Sequence, residues 1–208
     1  MEKERRFFQS SVQFEERDGT KDENTIVGHA AVFNKDSQDF GGWIERIAPG
    51  AFDDVLGDDA VAAFNHDPNQ VFGRNGKNMK LTVDATGLRY VVRMPDTTLG
   101  KDMRQLIKDE IITQSSFAFT VRTQQWEHFK DNRPSIRTIV KVDRLYDVAP
   151  VTYPAYPDTT VATRSLQEEL KKDAPVIDRS LYIKIQEAIF NSQTHTLTHN
   201  DNSRLIRS

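Results

Sequence analysis

The chain has 208 residues, of which 28% are charged and 37% hydrophobic, and it carries a formal net charge of −3 and no cysteine. That length suits one domain with a real core plus a tail or an insertion. Missing cysteine excludes disulfides, thiolate metal sites and cysteine nucleophiles, the charge gives no reason to expect nucleic-acid binding, and no apolar run approaches the roughly 20 residues that span a bilayer.

The first residues, MEKERRFFQSSVQFEERDG, are charged and lack an apolar signal core, so a cytosolic setting is the expectation. IVGHAAVF (26–33) and VAAFN (61–65) read as strands. MKLTVD (79–84), ATG and LRYVVRM (88–94) read as a hairpin, with Asp84 and Gly87 supplying the turn. In its second arm Leu88, Tyr90, Val92 and Met94 share one face, and Arg89 and Arg93 share the other. LGKDMRQLIKDEII (99–112) is the clearest helix. Leu99, Met103, Leu106, Ile107 and Ile111 form its apolar stripe, and Thr97 or Thr98 caps it.

SFAFTV (116–121) alternates with period two. Phe117, Phe119 and Val121 point one way, toward a core, and Ser116, Ala118 and Thr120 point the other. IRTIVKV (136–142) and LYDVAPV (145–151) read as two further strands. TYPAYPDT (152–159) is expected to be extended by its two prolines. From about 165 the chain turns charged and polar. Residues 165–208 read as a tail outside the main domain of 1–164, with Leu181, Ile185 and Ile189 marking a short docking helix.

Three residue types on this list can share one reaction. Ser116 is a hydroxyl on a small-residue face, but a serine needs a base to attack anything near neutrality. His66 ends a strand-like run and enters the loop DPNQ, where an imidazole can take a serine proton and return it. A plain surface histidine at a turn is the bland reading. A third group must orient the imidazole. Asp147 interrupts an otherwise apolar strand and is the acid of choice, with Asp143 and Glu45 as competitors. No G-x-S-x-G elbow and no S-x-x-K set is present, which argues against an α/β-hydrolase and a class A β-lactamase. His195 and His199 stand four apart, but no glutamate lies between them and TLT favours β structure, so no metal and no cofactor is expected.

Six stretches, GHAAVFN (28–34), ERIAPGAF (45–52), FNHDPNQVFGR (64–74), LTVDATGL (81–88), SSFAF (115–119) and YDVAPVTYPAYPDT (146–159), resemble in order the prohead protease family of tailed bacteriophages. These are capsid maturation serine proteases with a fold related to herpesvirus assemblin. The resemblance implies an α+β, mostly β fold: an assemblin-like antiparallel β-barrel core with surrounding helices and a C-terminal tail. It puts the family's histidine on His66, its serine on Ser116 and its acid on Asp147. Ala118 stands where the family has glycine, Asp147 where it usually has glutamate, and Ser115 where an apolar residue is frequent. The implied partners are the major capsid protein with its scaffolding segment, and a second copy in a dimer. The implied location is the host cell cytoplasm, inside the assembling prohead, with self-cleavage as an accompanying activity. Backbone N–H groups near VTYPAYP are the expected oxyanion donors. A catalytically inactive scaffolding or capsid-assembly protein on the same fold is the alternative; a small β-barrel binding module is a weaker one.

Overall fold

Residues 3–153, except 18, 130 and 132, are described by the structure, a computed structural model. They form nine strands and one α-helix. The strands are β1 (Glu4–Arg17), β2 (Thr20–Val32), β3 (Trp43–Ile47), β4 (Val61–Ala63), β5 (Val71–Arg74), β6 (Met79–Val83), β7 (Gly87–Arg93), β8 (Gln114–Glu127) and β9 (Ser135–Val151). The helix, α1 (Thr98–Lys108), lies between β7 and β8. The α+β, mostly β class is therefore observed. The expectations for 154–159, for the tail and for His195 and His199 lie outside the described residues.

The strands join into one sheet in the order β5-β4-β9-β8-β1-β2-β7-β6, with β3 also on β9. Two of its ladders are parallel, β3 with β9 and β4 with β9. Among the described residues no ladder links β5 to β6, so the expected closed antiparallel barrel is not found. A side chain holds that seam instead. The Asn78 amide donates to the Phe72 carbonyl at 2.8 Å and the Arg93 carbonyl at 3.0 Å, and its Oδ1 accepts the Arg74 N–H at 3.1 Å. Gly73 lies so near that a Cβ there would meet Val92 Cγ1 at 2.9 Å.

The sheet wraps one core. Ile26, Leu88, Tyr90 and Val92 enter it from one half, and Phe117, Phe119, Ile139, Leu145 and Val148 from the other. Phe117 stacks on Phe119 at 4.7 Å and meets Phe52 edge-on at 5.6 Å. Each such ring contributes about 1.5–3 kcal/mol by leaving water. The hairpin forms as the sequence indicates. Asp84 Oδ1 accepts the N–H groups of Thr86 and Gly87 at 2.8 and 3.0 Å. Leu88, Tyr90, Val92 and Met94 are all buried. Thr97 caps α1 by accepting the Gly100 N–H at 3.1 Å.

Two expectations need correction, and one element went unread. The helix ends at Lys108, so Ile111 falls outside it and is 60% exposed. The two strands expected at 136–142 and 145–151 are one continuous strand, β9, because Val142 and Arg144 both pair with β8 across a bulge at Asp143. The charged start is a strand. In β1 the buried side chains Glu4 and Arg6 are ionic, which hides the strand from an apolar pattern.

Those two residues belong to a buried, charge-balanced network with Glu45 of β3 and Arg137 of β9. Arg6 Nε donates to Glu45 at 2.7 Å, and Arg6 also pairs with Glu4. Arg137 donates to Glu4 at 2.7 and 2.9 Å and to Glu45 at 2.9 Å. Burial opposes ionisation of Glu4, but hydrogen bonds and charge from Arg137 and Arg6 outweigh it and hold its carboxyl below the usual glutamate range.

Removing one member leaves the others buried and unbalanced. Arg137→Met should lower the unfolding free energy by about 3–5 kcal/mol in urea titrations; a loss under about 1 kcal/mol would contradict this view of the network. Because the Glu4 pKa is lowered on folding, its contribution is complete above the ordinary glutamate range. It is lost as the pH falls from there through the lowered folded value. The stability gap between wild type and Glu4→Gln should therefore narrow in acid.

Candidate functional site

The β8–β9 register places the first two groups. Ser116 pairs with Ala149, and Ala118 pairs with Asp147. Asp147 is thus the diagonal neighbour of Ser116 on the same face of the sheet. Such neighbours lie about 7–8 Å apart, a gap that an imidazole bonded at both nitrogens can fill. The other two corners of this square are Ala118 and Ala149, small enough to leave room for the ring.

His66 comes from the neighbouring strand. β4 runs parallel to β9, with Val61 opposite Asp147 and Ala62 opposite Val148. The chain then turns tightly through Phe64–His66. Asn65 and His66 both take left-handed backbone, with φ of 52° and 60°. Asn and His are enriched there among non-glycine residues, yet such conformations still carry strain of order 1–3 kcal/mol. The turn is held by its surroundings. Asn65 Oδ1 accepts the Thr152 N–H at 2.9 Å, and Asn65 Nδ2 donates to Thr152 Oγ1 at 3.2 Å. The N–H of Asp67 donates to the Phe64 carbonyl at 3.0 Å.

The result is one connected chain of groups. His66 Nδ1 lies 2.5 Å from Asp147 Oδ1, and His66 Nε2 lies 2.7 Å from Ser116 Oγ. The carboxylate partner assigns the proton to Nδ1, which leaves Nε2 as an acceptor for the serine. All three residues are buried, Ser116 completely. The serine has a second acceptor, since Oγ also donates to the Arg6 carbonyl at 2.9 Å. One proton cannot serve both at once. With neutral His66 it can lie toward Nε2; with His66 protonated it lies toward Arg6, while Nε2–H donates back to Oγ. Lys3 approaches the remaining oxygen of Asp147 at 3.4 Å and is half exposed.

Ser115 is on the opposite face. Its hydroxyl pairs with the Tyr90 phenol at 2.7 Å inside the core. Burial pushes the Tyr90 phenol well up, so it stays protonated. The competing acids are elsewhere too. Glu45 is bound to Arg6 and Arg137, and Asp143 faces Arg122 at 3.3 Å on the surface. Of the other described histidines, His29 pairs with Asp84 and His128 with Ser135. The Thr152 N–H, one of the expected oxyanion donors, is taken by Asn65, and the rest of YPAYP beyond Tyr153 is outside the described residues.

Sequence reasoning missed Asn65, the Arg6 carbonyl and Lys3. Asn65 carried a signal, because Asn-His-Asp-Pro after a strand is turn chemistry that tolerates left-handed backbone. A main-chain carbonyl from a distant strand carries none.

Neither a comparison with curated proteins nor one with solved structures gives a match. The description of the caudovirus prohead serine protease family matches residues 10–173. That span holds His66, Ser116 and Asp147 and covers most of the chain, so the protein belongs to the caudovirus prohead serine protease family.

Proposed function

We propose that this protein is an active serine endopeptidase that cleaves the scaffolding portion of the major capsid protein, and itself, inside the assembling prohead. The observation that carries this reading is the hydrogen-bonded sequence Ser116–His66–Asp147, at 2.7 and 2.5 Å. His66 Nε2 takes the Ser116 proton as Oγ attacks a peptide carbonyl. Asp147 fixes the tautomer and steadies the imidazolium without itself taking the proton. His66 then protonates the leaving amine, the acyl-enzyme forms, and water releases it by the same steps. The shorter side chain of Asp147, relative to glutamate, is compatible with this, since its carboxylate already meets the ring. An assemblin-like ancestry and a dimer are part of the same proposal, as is residence in the host cytoplasm within the prohead.

One observation favours a second reading. Ser116 is fully enclosed and bonded to the Arg6 carbonyl, so a peptide reaches it only after a neighbouring segment moves. A catalytically inactive scaffolding or assembly protein would keep it closed.

Co-expression with the capsid protein separates the two. Both chains are followed by intact-mass spectrometry in wild type, Ser116→Ala, His66→Ala, Asp147→Asn and Ser115→Ala. The protease reading expects cleavage in wild type and in Ser115→Ala. It expects a loss of about 10³-fold or more in the other three, as removal of a triad member gives elsewhere. Uncut capsid protein in every case would favour the inactive reading.

A further inference from the structure

The nucleophile has a neighbour on its own strand that the mechanism does not use. Gln114, Ser115 and Ser116 pair in unbroken register with Val151, Pro150 and Ala149. Gln114 therefore shares the face of Ser116, one pleat toward the start of β8. His66 closes the opposite end, where it spans from Ser116 to Asp147. The Gln114 end carries no member of the triad.

There, the Oε1 atom of Gln114 is sealed from solvent and has no hydrogen-bond partner among the described residues. Enclosing an unmet acceptor is costly, and native structures seldom retain one without a reason. The pairing of β1 with β8 is also irregular at this point. Its register jumps between Phe7, opposite Ser116, and Ser11, opposite Gln114. Breaks of this kind are common beside active sites, where they free a strand's neighbour for other contacts. The two other enclosed unmet atoms on β8, Thr120 Oγ1 and Trp126 Nε1, lie beyond the His66 end.

We propose that Gln114 holds the substrate: its Oε1 accepts a main-chain N–H of the peptide next to the bond that Ser116 attacks. The ligand class is an extended peptide, recognised through its backbone and so independently of its side chains. This inference rests on the protease reading above. An acceptor left unmet in the free protein would be met only in the complex, so a ligand lacking the N–H gains nothing from it.

The test uses full-length protein and two rates. One is phosphonylation by a small alkyl fluorophosphonate, which has no peptide backbone. The other is cleavage of a proteome-derived peptide library, read by mass spectrometry. In Gln114→Met, similar in size but unable to accept strongly, the ratio of cleavage to phosphonylation should fall about three- to tenfold, the effect of one neutral hydrogen bond. Gln114→Glu keeps an acceptor oxygen and should restore most of the ratio. An unchanged ratio in Gln114→Met overturns the inference, including the case where both rates drop together, which would mark a purely structural role. A wild type that is neither phosphonylated nor able to cut peptides contradicts the protease reading itself, and this inference with it.

Discussion

The antiparallel register between β8 and β9 is the constraint on which the site depends. It sets Ser116 opposite Ala149 and Asp147 opposite Ala118, so the hydroxyl and the carboxylate fall on one face at a spacing an imidazole can bridge. A slip of one residue would send Ser116 into the core and bring Ser115 to the site face. Such a slip is opposed on the core face. Phe117 is buried edge-on against Phe52 and stacks on Phe119, and Ser115 is bonded to Tyr90. Two apolar rings and one buried hydrogen bond thus fix which serine meets His66.

The same register is supported across the sheet by charge. Glu4, Arg6, Glu45 and Arg137 tie β1, β3 and β9 together on the core side, with the charges balanced. This fixes the main chain of Arg6, whose carbonyl accepts from Ser116. Pulling β1 away would break the buried bonds of Arg6 to Glu45 and of Arg137 to Glu4, leaving Glu45 and Arg137 with only each other. On the protease reading, the segment that moves to admit a peptide is therefore not this part of β1. Gln114 lies at the other side of the nucleophile, beside the break in β1–β8 pairing.

Much of this was legible from residues alone. The hairpin with its Asp84 turn and the helix with its Thr97 cap follow from local rules, and the structure repeats them; in SFAFTV, Phe117 and Phe119 reach the core as expected, but Ser116–Thr120 are buried on both faces and bulges interrupt the pairing. His66, Ser116 and Asp147 could be named as types, but nothing in their spacing of 50 and 31 residues says that they meet. Their meeting depends on strand order, β4-β9-β8, which is a long-range property. β1 was illegible for a physical reason: two of its buried residues, Glu4 and Arg6, are ionic, and they are stable there because partners arrive from β3 and β9. The open seam between β5 and β6 was hidden likewise, since one asparagine side chain bonds across it where a closed barrel would have a ladder.

The central claim is that His66, set by Asp147, activates Ser116 and no other hydroxyl. Treating the full-length protein with a fluorophosphonate and locating the adduct by peptide mass spectrometry tests it most directly. The account predicts a single adduct on Ser116 that disappears in His66→Ala. An adduct on Ser115, equal labelling in His66→Ala, or no adduct on any serine would contradict it.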